Sequence, residues 1–207
     1  MVKKIEENAA GIIQARAILE DGGVLVFPTD TAYGLAVRTD RDGAITKISL
    51  VKGRPESKAI SVVVSDIAMA KRYGVFSPRA LAVAEAFLPG PLTLVVPARE
   101  RVSKKLLAEG TTIGFRIPNR QWVLDLVRAC NFPITATSAN ASDTPACYSI
   151  PDVKKSLKDT WKMIDGTIDG GQLPETHVST VVQCVDDMCE VLREGPISRE
   201  DIDKVIG

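Results

Sequence analysis

The chain has 207 residues, 45% apolar and 25% charged, and its 26 Lys and Arg balance 26 Asp and Glu. That mix is ordinary for a folded globular protein and excludes a disordered chain, a collagen-like chain or a disulfide-stapled miniprotein. Zero net charge gives no bulk attraction to nucleic acid, so any polyanion must be held by a local group of cations.

No apolar run approaches the roughly 18 residues of a membrane span, and Val24 to Phe27 is cut by Pro28. The segment Met1 to Glu7 lacks the apolar core of a signal peptide, so a cytoplasmic location without a membrane partner is expected. In chain order, Ile5, Ala9, Ile12, Ile13 and Ala17 recur at helical spacing until Gly22-Gly23. Val24 to Phe27 reads as a buried strand, followed by a polar loop and a short apolar piece, Leu35 to Val37. Ala44, Ile45, Ile48 and Val51 mark a second amphipathic helix that ends in Lys52 and Arg54. Ala59 to Val64 reads as a strand covered on both faces. Residues 66–73 and 78–88 read as helices, the second capped by Ser77 with Pro78 in its first turn. Pro89-Gly90-Pro91 stops that helix before a strand, Leu92 to Val96.

Further strands are predicted at 112–116, 133–137, 162–165, 180–184 and 189–193, and helices at 121–129, 151–158 and 198–205. Ser198 and Asp201 form a capping box for the last helix. Alternation of strands and helices argues for α/β: residues 1–207 as a single domain, one twisted mixed sheet with helices on its faces.

Cysteines stand at 130, 147, 184 and 189 with no C-x-x-C, and His177 is the one histidine, so no metal site is expected. Cys184 and Cys189 flank Val185-Asp186-Asp187-Met188 and could pair, but the reading adopted is four reduced, mostly buried thiols. A Ser-His-Asp triad would rest on His177 alone, without G-x-S-x-G; His177 reads as a surface or loop residue. P-loop, dinucleotide and H-E-x-x-H motifs are absent.

Five polar segments beside apolar strands remain. Lys52-Gly53-Arg54-Pro55-Glu56-Ser57-Lys58 carries three cations suited to a triphosphate, or else is a solvated helix end. Thr137-Ser138-Ala139-Asn140 could bond phosphate or ribose, or cap a strand end. Pro28 to Gly34 suits a small polar ligand, or forms an Asx-type turn. Arg116, ending an apolar strand, could clamp a carboxylate or make a structural ion pair. Gly170-Gly171 through His177-Val178-Ser179-Thr180 ends in two hydroxyls, with Arg193 beyond.

Together the segments PTDTAYGL, KGRP with Lys58, LPGPLTLVV, GFRIP, the SAN of Ser138 to Asn140, HVSTVV and VLREG resemble the YrdC-like family of threonylcarbamoyl-adenylate synthases. The matching pieces run from Gly22 to about Ser198, and the chain is similar to the short, single-domain form. The resemblance implies a nucleotidyltransferase that makes L-threonylcarbamoyl-adenylate from ATP, L-threonine and bicarbonate, releasing pyrophosphate. This would be the first step of tRNA threonylcarbamoyladenosine modification, followed by a downstream tRNA threonylcarbamoyl transferase. It implies that Lys52, Arg54 and Lys58 meet the ATP phosphates, the first two as the catalytic pair, and that Ser138 and Asn140 hold phosphate or ribose. Thr112, Ala146 and Arg193 would line the nucleotide side. Thr31, Val63, Arg116, Ala136 and Ser179 would hold threonine, with Arg116 on its carboxylate. Magnesium would ride on the ATP phosphates. Val63 stands where some relatives offer a histidine, and Ala59 follows Lys58 where a proline is usual. The alternatives are a non-catalytic module of the same fold that binds double-stranded RNA or tRNA, for which a neutral chain offers no broad basic face, and a carbamoyl-transfer relative.

Overall fold

Asn8 sets the first helix. Its side-chain oxygen accepts from the Gly11 amide (2.9 Å), so α1 spans Ala9–Glu20 and the residues before it, Lys3–Ile5, form strand β1. The computed structural model describes residues 2–55, 57–175, 177–186 and 188–207; Met1, Glu56 and Asp187, named above, and Thr176 lie outside the described residues. After α1 come β2 (Leu25–Pro28), β3 (Tyr33–Ala36), α2 (Asp42–Lys52), β4 (Val62–Val63), α3 (Ile67–Lys71), α4 (Pro78–Phe87), β5 (Leu92–Pro97), α5 (Lys104–Leu107) and β6 (Thr112–Arg116). The chain continues through α6 (Gln121–Cys130), β7 (Ile134–Thr135), β8 (Thr137–Ser138), α7 (Ile150–Leu157), a 3-10 helix (Lys158–Met163), β9 (Gly166–Ile168), β10 (Thr180–Val185), β11 (Met188–Arg193) and α8 (Arg199–Ile206).

The α/β class and the mixed pairing agree with the sequence pattern, but the strands divide into two sheets. One has the order β1-β9-β2-β3-β8 and the other β11-β10-β5-β6-β4-β7. Tyr33, Phe27 and Leu35 from the first sheet and Leu94, Phe115 and Ile134 from the second are fully buried side chains of a single apolar core. Burial on both faces removes the alternation that would have told one sheet from two.

Three local predictions are corrected. The strand expected at 162–165 is 3-10 helix up to Met163, and the strand begins four residues later, at Gly166–Ile168. Gly166 pairs there with both Lys3 of β1 and Leu25 of β2. Of the run Ala59 to Val64, only Val62–Val63 joins a ladder; Ile60 N–H instead donates to Leu106 O on α5 (2.8 Å). Cys184 and Cys189 face each other across β10 and β11, Cα atoms 4.2 Å apart, and are joined by a disulfide, so only the buried Cys130 and Cys147 are free thiols. The Ser198–Asp201 capping box is present, and His177 is exposed in a loop. Among the described residues, no helix is long and apolar enough to cross a membrane.

The two sheets meet where the chain passes from β7 to β8. β7 pairs with β4 in the second sheet and β8 with β3 in the first, with Ala136 alone between them. Ala136 N–H donates to Ser61 O (2.7 Å). Thr135, fully buried, donates its hydroxyl to Leu35 O (2.9 Å) and accepts from Val37 N–H (3.1 Å), while its own N–H donates to Val37 O (3.0 Å). One side chain thereby completes the backbone bonding of β3 at the seam. Thr135→Val keeps the shape but strands one buried acceptor and one buried donor, a loss of about 2–4 kcal/mol of stability. Urea unfolding of this variant against wild type measures it, with an unchanged slope expected.

Candidate active site

A pocket of about 230 Å³ opens at this seam, walled by the β2–β3 turn, the ends of β4 and β6, Ala136, and the entry to β10. The turn is built by Thr29 and not by Asp30. The Thr29 hydroxyl donates to Ala32 O (2.7 Å) and accepts from the amides of Thr31 (3.1 Å) and Ala32 (3.2 Å). With the turn closed by Thr29, the Asp30 carboxylate is available elsewhere, and it accepts from Arg116 Nη2 (2.7 Å).

Arg116 ends β6 only 8% exposed. Its Nη1 donates to the Thr31 hydroxyl (3.0 Å). Burial pulls the guanidinium below its usual range, Asp30 pushes it back up, and the nearby Arg193 adds to the fall. Arg116 Nε and Asp30 Oδ2 are both buried without a hydrogen-bond partner. A buried planar donor next to an unmatched acceptor is costly unless a further polar group completes it. The structural ion pair weighed from sequence is therefore present, and the Nε next to it is left without a hydrogen-bond partner.

The opposite wall carries Ser179, whose Oγ lies 2.8 Å from Thr93 Oγ1. Arg193, at the end of β11, donates from Nη2 to Ser179 O (2.7 Å) and Oγ (3.2 Å). Arg54 donates to Ala59 O (2.7 Å), curling the Lys52–Lys58 loop so that Arg54, Ala59 and Ile60 face the pocket. Val63 and Ala136 supply apolar wall.

Of the residues singled out from sequence, Arg54, Ser138, Arg193, Thr31, Val63, Arg116, Ala136 and Ser179 line this pocket. Five do not. Thr112 begins β6 opposite Pro97, four residues from Arg116, or roughly 13 Å along an extended strand. Lys58 lines a second cavity, and Lys52 and Ala146 a third, open one of about 810 Å³. Asn140 is turned inward: its Oδ1 accepts from Lys52 Nζ (2.9 Å) and the Ser138 hydroxyl (2.5 Å), and its Nδ2 donates to Thr144 O (2.5 Å) and Pro145 O (3.1 Å).

Lys52 is no solvated helix end. It is 4% exposed, and its ammonium reaches Ser138 O, Asn140 O (2.8 Å) and Asn140 Oδ1. Its three protons thus meet three oxygens and fix the backbone that carries Ser138 into the pocket. Burial first, and the Arg54 charge second, bring its pKa down to about 8. The sequence reading missed Asp30, Ser61 and Thr93 as site residues. Ser61 and Thr93 were detectable as single polar residues inside apolar runs; Asp30 had no separate signal within a polar loop.

A model of the Sua5_yciO_yrdC family, described as telomere recombination, matches residues 17–195. The chain belongs to the Sua5/YciO/YrdC family. The threonylcarbamoyl-AMP synthase of Bacillus subtilis is 34% identical to it over 206 residues, 99% of this chain and 59% of that protein. The chain thus spans about three-fifths of that relative's length. A threonylcarbamoyl-AMP synthase of Psychromonas ingrahamii, 32% identical over 80% of this chain, is itself covered over 91%. Among solved structures of the Sua5/YciO/YrdC family, Pyrococcus abyssi Sua5 complexed with L-threonine superposes with a TM-score of 0.91 at 30% identity, covering 100% of this chain and 61% of that one. Escherichia coli YciO gives 0.82 at 27% identity, covering 95% and 96%.

Lys52 yields a test with a defined sign. Its folded pKa lies below the unfolded value near 10.5, so the cost of holding the ammonium inside is fully present below about pH 8. That cost is relieved as pH rises through 8 toward 10.5. Lys52→Met should lower stability at pH 7 by about 2–4 kcal/mol, by leaving three oxygens without donors. The gap between wild type and variant should widen between pH 8 and 10.5, as read from urea unfolding at each pH.

Proposed function

We propose that this chain catalyses the ATP-dependent formation of L-threonylcarbamoyl-adenylate from L-threonine and bicarbonate, with release of pyrophosphate. The product would enter tRNA threonylcarbamoyladenosine modification through a downstream tRNA threonylcarbamoyl transferase. The observation that carries this reading is the arrangement of the pocket: a buried Arg116 with an unpartnered Nε beside Thr31, and the less buried Arg54 and Arg193 on the same walls. A carboxylate and a phosphate chain could be accommodated together, as this reaction requires.

Arg116 receives the amino-acid carboxylate, with Thr31 and Asp30 fixing the plane of its guanidinium. Val63 and Ala136 face the side chain with apolar surface. The ammonium of threonine and bicarbonate combine to a carbamate with loss of water and a proton. A carbamate oxygen then attacks the α-phosphorus, the bond to the β-phosphate oxygen breaks, and pyrophosphate leaves with the electron pair. Arg54 and Arg193 stabilise the charge on the phosphate oxygens, and the pocket supplies positioning; no enzyme nucleophile takes part. Among the described residues, no group of three or more His, Cys, Asp or Glu is set to hold a metal. The guanidiniums and hydroxyls of the pocket do not fit a resident cation, and magnesium would arrive on the nucleotide, screening its phosphates.

Pyrophosphate release by the purified chain should require ATP, threonine and bicarbonate together; release that ignores threonine overturns the reading. Arg116→Lys keeps the charge but loses the planar fork. It should raise KM for threonine by about tenfold or more, with KM for ATP within about threefold of wild type. Initial-rate kinetics with each substrate varied in turn checks both expectations.

A further inference from the structure

Arg116 has unlike neighbours on its two sides. In the second sheet β6 lies between β4 and β5. On the β4 side Val63 pairs directly with Arg116, and Ala136 lies beyond it, its N–H on Ser61 O. On the β5 side Leu94 pairs with Phe115, which places Thr93, one residue back, beside Arg116. Val63, Arg116, Thr93 and Ala136 all line the main pocket. A carboxylate held by Arg116 therefore has an apolar wall on one side and a hydroxyl on the other, roughly 9–10 Å apart across two strand spacings. Ser61 also lines the pocket, but it lies over Gly114, about 7 Å further along the sheet than Arg116.

Thr93 stands at the end of a chain of hydrogen bonds. Its methyl lies over Gly114, 3.1 Å from where a Cβ would be, and its Oγ1 is 2.8 Å from Ser179 Oγ. Ser179 Oγ in turn accepts from Arg193 Nη2 (3.2 Å). Among the described residues these two hydroxyls make no other hydrogen bond, so they share one bond between two protons and one proton is left over. Arg193 decides which. A hydroxyl oxygen that accepts from a guanidinium is polarised and donates more strongly. Ser179 thus gives its proton to Thr93, and Thr93 keeps one for the pocket.

We propose that Thr93 recognises the β-hydroxyl of the bound amino acid, and that Thr93 and Val63 together select a side chain bearing a hydroxyl and a methyl on one carbon. The inference rests on the reading of the main pocket as a threonine site, and names the source of its selectivity. With the carboxylate on Arg116, the methyl packs against Val63 and Ala136 while the hydroxyl oxygen accepts from Thr93 Oγ1. An amino acid without that oxygen leaves the Thr93 proton unpaired in a nearly closed place, where Thr93 is only 5% exposed.

The test is calorimetric titration of the full chain with L-threonine and with L-2-aminobutyrate, which is threonine without its hydroxyl. Wild type should bind threonine about tenfold or more tighter than 2-aminobutyrate. In Thr93→Val, of nearly the same shape, the ratio should fall to within about threefold, with 2-aminobutyrate affinity within about twofold of wild type. Thr93→Ser restores the hydroxyl and should restore the ratio; thermal melts of both variants check the fold. A merely structural role for Thr93 would weaken both ligands together. An equal loss for both ligands, an unchanged ratio in Thr93→Val, or no preference in wild type overturns the proposal. So does a ratio that collapses in Ser61→Ala and not in Thr93→Val. Threonine-dependent pyrophosphate release is measured separately. If it is absent while the ratio still depends on Thr93, the reaction assignment fails and the recognition stands; if it is present while the ratio ignores Thr93, the reverse holds.

Discussion

The structure depends on the passage of one strand between two sheets at Ala136. A backbone that leaves one ladder and enters another within a single residue must satisfy its donors and acceptors with partners from both, away from water. Thr135 does so on the β3 side through its hydroxyl, and Ser61 O takes the Ala136 amide from the β4 side. Because the sheets diverge from this point, their strand ends enclose a concave space. Side chains from β3, β4, β6, β8 and β10 meet there although they are far apart in sequence. The pocket is a product of the crossover, so the residues that close the seam and those that line the site are partly the same.

The same economy governs Ser138 and Asn140. Asn140 spends its amide on Lys52, Ser138 and the 144–145 carbonyls, and thereby sets the direction in which the chain leaves β8. The Lys52 ammonium ties this turn to the end of α2, where the loop bearing Arg54 begins. The two signature pairs are thus joined to each other before any ligand is involved. A loop that carries cations is held at its base by a cation.

Much of this was legible in the residues. Most helices and most long strands were set by apolar spacing, caps and breakers, as with Ser77-Pro78 at α4 and the Ser198 box at α8. The order of motifs placed eight of the named residues around one pocket. What escaped the sequence were effects of tertiary partners. Lys3–Ile5 becomes a strand because β9 lies beside it, and Ile60 leaves the ladder because α5 offers a carbonyl. The disulfide arises from the register of β10 against β11, which puts Cys184 opposite Cys189. Lys52 was open between a phosphate-facing cation and a solvated helix end, and nothing within α2 announces the three oxygens that arrive from residues 138 and 140. Asp30 was hidden for the opposite reason: a turn residue was expected to serve its own turn, and Thr29 had already done so.

Each cation of this region already has an internal companion. Arg116 holds Asp30, Lys58 holds Asp143, Arg54 holds Ala59 O, Arg193 holds Ser179 O, and Lys52 holds the turn at 138–140. An arriving anion therefore meets occupied hands, and its binding is an exchange of partners rather than capture by bare charge. Exchange rewards only a ligand that offers more contacts than the ones it displaces. Chloride is a single acceptor centre and one phosphate ion cannot reach several of these cations at once, whereas a molecule carrying a carboxylate at one end and phosphates at the other can displace several companions together. Selectivity against the small anions that any solution contains is, on this view, written into the resting hydrogen bonds.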